Sequence, residues 1–168
     1  MKDTARLIMF LDCNLTCPYC CNKRDEVFSQ FKRKRLEEID FTPYKNICVT
    51  GGEPFYKKYT LYQTLSRLPK DKTVYLYSNG LLIDSVDITI IQTHFPNVKG
   101  INIGLHSIEQ VRSVRDIEHK MPVRFLINDE LKEQFIMANP GRLNEKNCST
   151  WHMNNCDRSN EDWYFLNL

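Results

Sequence analysis

Six short apolar runs, separated by segments long enough to hold a helix, limit the folds open to this chain more than any other feature. They lie at residues 6–12, 46–50, 73–78, 98–105, 123–127 and 163–166. Each is rich in Ile, Val, Leu and aromatic residues, as expected for strands buried on both faces. The segments between them carry helical signals. Phe55, Tyr59, Tyr62, Leu65 and Leu68 recur at helical spacing and would cover one sheet face. Residues 84–95 offer Val86, Ile90 and Ile91 before Pro96 stops the helix. Ser107-Ile-Glu-Gln110 has the form of a capping box, and Asn128-Asp129 could cap a further helix ended by Asn139-Pro-Gly141. Alternating strands and helices imply parallel strands joined by right-handed crossovers. Six such units fall short of the eight that close an ordinary barrel. The expected fold class is therefore α/β, a partial (β/α)6 barrel of parallel strands open on one side. With 168 residues, 42% of them hydrophobic, the chain suits a single domain around one core, residues 1–168.

The first run leads directly into Cys13-Asn-Leu-Thr-Cys17-Pro-Tyr-Cys20, so a strand would deliver three cysteines onto a tight loop. Thiolates grouped this closely usually hold metal. The count of three is informative, because an iron-sulfur cubane has four irons and three protein ligands leave one iron open. Open coordination generally marks a catalytic site. A second motif, Thr50-Gly51-Gly52-Glu53-Pro54, follows the second run. Two glycines let backbone approach a ligand closely, and a carboxylate can accept a hydrogen bond from an ammonium. Both motifs fall at the carboxyl ends of strands, where ligands gather in such folds.

In these two motifs the chain resembles the radical S-adenosylmethionine (SAM) superfamily, as a compact single-domain member. That family carries a C-x3-C-x-aromatic-C loop and a GGE loop after its second strand. The resemblance implies a 4Fe-4S cluster ligated by Cys13, Cys17 and Cys20, with SAM bound to the remaining iron through its amino and carboxylate groups. It places Tyr19 near the adenine, and Gly51, Gly52 and Glu53 at the methionine end, with Pro54 stiffening the turn that follows. Ser78 and Asn79, after the third strand, match a position where relatives turn polar groups toward SAM; a solvated turn is the plainer account. His106, after the fourth strand, matches a polar position near the ribose or carboxylate, or is a structural histidine. Asn128, after the fifth, rests on strand-end position alone.

The implied reaction is reductive cleavage of SAM to a 5′-deoxyadenosyl radical, which abstracts hydrogen from a small-molecule, nucleotide or modified-base substrate. An electron donor such as flavodoxin or ferredoxin would be a partner. An activase that places a glycyl radical on a partner enzyme is an alternative, and a protein or nucleic-acid substrate remains open. A non-catalytic reading is a structural zinc or iron-sulfur module in which Cys21 supplies a fourth ligand. Cys21 is otherwise a small buried hydrophobe.

The odd total of seven cysteines and their clustering argue for reduced thiols. Cys48 belongs to the core of the second strand. Cys148, His152 and Cys156 would lie one turn apart if helical, as a packed final helix before the last strand or as a second metal site. The basic run Lys32-Arg33-Lys34-Arg35 reads as a solvated helix face with Phe28, Phe31 and Ile39 buried beneath, or as a landing site for phosphate. A net charge of +2, from 23 basic and 21 acidic side chains, is too small to imply a nucleic-acid partner by itself. The first residues lack a signal-peptide pattern and no apolar run has membrane-spanning length, so a cytoplasmic protein without a membrane partner is expected.

Overall fold

The computed structural model of the chain describes residues 2–18, 20, 28–29, 31–107, 110, 120–129, 132–138, 148–151 and 160–168. Within these, one sheet of eight parallel strands organises the molecule. The strands are β1 Thr4–Ile8, β2 Lys32–Lys34, β3 Asn46–Thr50, β4 Thr73–Ser78, β5 Val98–Leu105, β6 Val123–Asn128, β7 Cys148–Trp151 and β8 Glu161–Leu166. Their spatial order is β2-β8-β1-β3-β4-β5-β6-β7. The fold class is thus α/β with an open parallel sheet, as expected of a partial barrel.

All six anticipated strands are present, and two more lie at the edges. The basic run is not a helix face: Lys32–Lys34 forms β2 and pairs with β8. Residues 148–151 are likewise strand rather than helix, pairing with β6 as β7. Both escape a search for apolar runs because an edge strand has one open side and is kept short and polar, which blocks pairing with other chains. Two charges of the basic run are consumed locally, Lys32 by Asp162 at 2.8 Å and Arg35 by Glu38 at 3.0 Å. Phe28 and Phe31 pack with Trp163 and Phe165 on the sheet instead of lining a helix, while Ile39 joins the main core.

Strand alternation gives the sheet two chemically different faces. Ala5, Leu7, Ile47, Val49, Val74, Leu76, Ile101, Ile103, Phe125 and Ile127 point to one side and form the core with the helices. These helices are α1 Lys58–Arg67, α2 Ser85–His94 and α3 Lys132–Ala138. The first does not start where the Phe55 to Leu68 spacing suggested. Pro54–Lys57 is a 3-10 turn, which resets the helical phase, so Leu61 and Leu65 are buried while Tyr59 is 75% exposed. In α2, Ile88 and Ile91 face the core and Val86 stays outside. Asp84 caps that helix by accepting from the backbone N–H of Val86 and Asp87, and Asp87 returns a bond to the N–H of Asp84.

The opposite, inner face is far more polar. Arg6 crosses it, gripping Glu161 of β8 with two hydrogen bonds of 2.5 and 2.9 Å and lying 4.3 Å from the centre of the Tyr77 ring on β4. Burial is the largest single influence and opposes the guanidinium charge, but the Glu161 hydrogen bond together with the electrostatic contributions of Cys48, Tyr77 and Glu161 outweighs it, so the Arg6 pKa is raised. Among the described residues, no helix is long and apolar enough to cross a membrane.

Candidate functional site

Beyond β1 and β3 the two chains stay paired, which brings the cysteine loop and the glycine loop together. Met9 N–H donates to the Thr50 carbonyl at 3.0 Å, Gly52 N–H to Phe10 at 2.6 Å, and Glu53 N–H to Asp12 at 2.8 Å. So tight an approach demands glycine. A Cβ on Gly52 would lie 1.9 Å from the Asp12 carbonyl oxygen, and one on Gly51, whose φ is +154°, would lie 2.6 Å from that of Phe10. The expected close backbone approach is therefore made first to the cysteine loop itself. That loop then leaves the sheet, and Cys13, Cys17 and Cys20 sit half-buried at the carboxyl end of β1, with the Cys20 N–H turned back onto the Cys17 carbonyl at 3.3 Å.

Glu53 is the hub of the site. It is fully buried, and its carboxylate accepts from Phe55 N–H at 3.1 Å, Ser78 Oγ–H at 2.8 Å and Asn79 N–H at 2.7 Å. Burial pushes its carboxyl above the usual range, while these donors, led by Asn79, pull the other way. The carboxylate ties the loop after β3 to the loop after β4. Ser78 in turn accepts from the Gly80 N–H at 2.9 Å, closing the turn.

Asn79 connects this hub to the thiols. Its side-chain amide donates to Asn14 Oδ1 at 2.8 Å and lies 4.0 Å from Cys13 Sγ, which also accepts from the Leu15 N–H at 3.4 Å. Donors aimed at a cysteine sulfur are one of the means by which proteins tune a ligated cluster. The donor set, three uncrosslinked thiols with N–H groups directed at one of them, fits a soft metal cluster with one position left over. Among the described residues, however, the side chains are not gathered into a ready-made group of three metal ligands.

The fourth strand end is held by a residue the sequence reading used only as a cap. Gln110 N–H reaches Ser107 Oγ at 3.4 Å, as a capping box requires, but its side chain does more. It accepts from the His106 N–H at 2.8 Å and donates to the carbonyls of Gly104 and Asn79, bridging β5 to the Asn79 loop. Its signal was a buried amide following a strand end, which composition alone does not separate from an ordinary cap. His106 lies against Gly104, where a Cβ would meet its Nε2 at 3.3 Å. Asn128 closes β6 and is buried. Tyr19, Cys21, His152 and Cys156 lie outside the described residues.

Burial holds the His106 imidazole below its ordinary pKa of 6.5. The unfolded chain therefore binds this proton more readily, so the stability His106 contributes is present above pH 6.5 and is lost as pH falls through the lower folded value. Urea midpoints recorded from pH 7.5 to 5 should fall, and they should fall less steeply in His106→Gln. Superimposable pH profiles for the two proteins would refute this assignment.

Comparison with known proteins gives a distant likeness. No protein-family model matches the chain. Two curated proteins of Clostridium perfringens, from strain SM101 / Type A and strain 13 / Type A, both GTP 3′,8-cyclases, are each 25% identical to it over 120 residues. The match takes in 66% of this chain and 36% of each relative, so the chain spans about a third of the length of these curated proteins.

Proposed function

We propose that the chain is a radical SAM enzyme acting on a small molecule, with a nucleotide as the favoured substrate. The observation that carries the proposal is the close pairing of the backbone leading into the cysteine loop with Gly52 of the glycine loop, and the approach of Asn79 to Cys13, at the carboxyl ends of parallel strands. The distant likeness to GTP 3′,8-cyclases supports the same chemistry, and GTP in that name favours a nucleotide over the other substrate classes.

In this reading Cys13, Cys17 and Cys20 would hold a 4Fe-4S cluster. When bound, the cluster and SAM supply one-electron cleavage of the sulfonium, with the electron drawn from a flavodoxin- or ferredoxin-type donor, and hydrogen abstraction from the substrate. The protein's share is positioning. Glu53 is a positioning residue, because its carboxylate is taken up by three protein donors and acts through the loops it fastens. Gly51, Gly52 and Pro54 shape the rim for the methionine end. Asn79 steadies Cys13, and Ser78, His106 and Asn128 complete the polar ends of the strands; Tyr19 is assigned to the adenine.

The test is anaerobic loading of the full chain with iron and sulfide, followed by spectroscopy with and without SAM. An open iron changes its signal when SAM coordinates, and dithionite should then release 5′-deoxyadenosine. A cluster indifferent to SAM, or a single tightly held zinc, would overturn the proposal.

A further inference from the structure

The inner face of the sheet is not packed shut. A cavity of about 410 Å3 opens on it, well within the volume range of small-molecule pockets. Its walls come from neighbouring strands in register, Tyr77 of β4 beside Asn102 of β5 beside Arg124 of β6, with Tyr75 below. None of these residues belongs to the two motifs.

Asn102 is the observation that points to a ligand. Its side chain is 7% exposed and lines the cavity, yet its amide has no hydrogen-bond partner among the described residues. The amide is not one of the fully buried unsatisfied groups, so solvent reaches it at the cavity wall, and its donor and acceptor are open to a molecule that displaces that solvent. Its paired donor and acceptor match the edge of a nucleobase. The charges lining the cavity differ in what they can do. Glu161 is held by Arg6, and the Lys99 ammonium donates to the Pro96 carbonyl at 2.8 Å. Arg124 is different: only its Nε is engaged, donating to Ser149 Oγ at 2.6 Å, and its terminal nitrogens have no partner among the described residues. A guanidinium presented in this way is a fork for phosphate. The half-buried Tyr75 adds an aromatic ring to the wall, a surface on which a base can stack.

We infer that this cavity is the substrate pocket and that it takes a nucleoside monophosphate, with phosphate on Arg124 and the Asn102 amide on the base. The cavity lies toward the amino ends of the strands, and Asn128 is four residue steps, a rise of about 13 Å, beyond Arg124 on β6, so a nucleotide anchored at Arg124 has to extend along the inner face to approach the carboxyl ends. The pocket's being that of the substrate rests on the radical SAM reading; the binding itself does not.

Calorimetric titration of the full chain, cluster-loaded and cluster-free, with each of the four ribonucleoside monophosphates and with inorganic phosphate tests the inference. At least one nucleotide should bind saturably at one site, and inorganic phosphate more weakly. Arg124→Ala, whose side chain is exposed and whose loss leaves the core intact, should weaken that nucleotide at least tenfold, as should Asn102→Ala if its circular dichroism matches the parent. Absence of saturable binding, phosphate bound as tightly as nucleotide, or an unchanged constant in Arg124→Ala overturns it. The two proposals fail separately: 5′-deoxyadenosine release without nucleotide binding sinks this pocket alone, and nucleotide binding without SAM cleavage sinks the radical chemistry alone.

Discussion

On the proposed radical SAM reading, replacing Cys17 with alanine is expected to remove cluster assembly and SAM cleavage together while leaving the fold in place. The Cys17 side chain is half-buried at a loop outside the sheet, and the Cys17 group that closes the local turn is its backbone carbonyl, which the substitution retains. Loss of one thiolate from a three-ligand set leaves two irons without protein sulfur, so iron should no longer be retained through gel filtration. Enzymes typically supply about a millionfold acceleration or more, so on that reading loss of the cluster should lower 5′-deoxyadenosine release by more than about a thousandfold. The urea midpoint of the metal-free protein should stay within about 0.5 kcal/mol of the parent, as for substitutions away from the core. Retained iron and undiminished release would mean that the ligand set has been misassigned.

Among the described glycines with close neighbours, Gly52→Ala is expected to be the most damaging added methyl group. The added Cβ would fall 1.9 Å from the carbonyl oxygen of Asp12, 2.4 Å from its carbonyl carbon and 2.5 Å from the Leu11 carbonyl oxygen. All three are backbone atoms in a stretch pinned by paired hydrogen bonds, so no rotamer change relieves the clash and one loop must move away from the other. Overpacking of this kind usually costs 1–3 kcal/mol and sometimes more, and a loss of about 3 kcal/mol is expected here. The displaced segment leads straight into Cys13, so iron loading should fall as well. Gly104→Ala provides the contrast. Its Cβ would meet the end of the His106 side chain at 3.3 Å, which can shift, and the loss should stay below about 1 kcal/mol. Equal urea midpoints for Gly52→Ala and the parent would show that the two loops are not interlocked as described.

Much of the architecture was legible because the strands of the centre announce themselves. β3, β4 and β5 were bounded correctly from apolar runs, since each is flanked by paired strands and excluded from water. β2 and β7 were not, and for the converse reason. An edge strand whose residues are Lys-Arg-Lys carries no hydrophobic signal, and only its pairing with β8 makes it a strand. The misjudged outward turn of Tyr59 has a similarly local cause, a 3-10 turn that shifts the phase of everything after it.

In the site, the motifs marked which loops matter but not what each residue does in them. A carboxylate following two glycines looks like a ligand contact in one dimension. In three dimensions it faces Ser78 and Asn79, residues that join it only because β3 and β4 lie side by side in register. Gln110 was equally unreadable, since one of its two carbonyl acceptors, that of Asn79, lies 31 residues away in the chain.

What the sequence determined by itself is local in origin: the parallel α/β class, set by apolar runs and the length of chain between them, and the three cysteines and two glycines at strand ends. Tertiary structure alone decided the rest. It placed β8 against β1, turned Arg6 across the sheet to Glu161, and aligned Asn102 with Arg124 above a cavity. Those outcomes depend on strand order and register, which arise from pairing between distant segments, and no window of neighbouring residues encodes which partner will lie alongside.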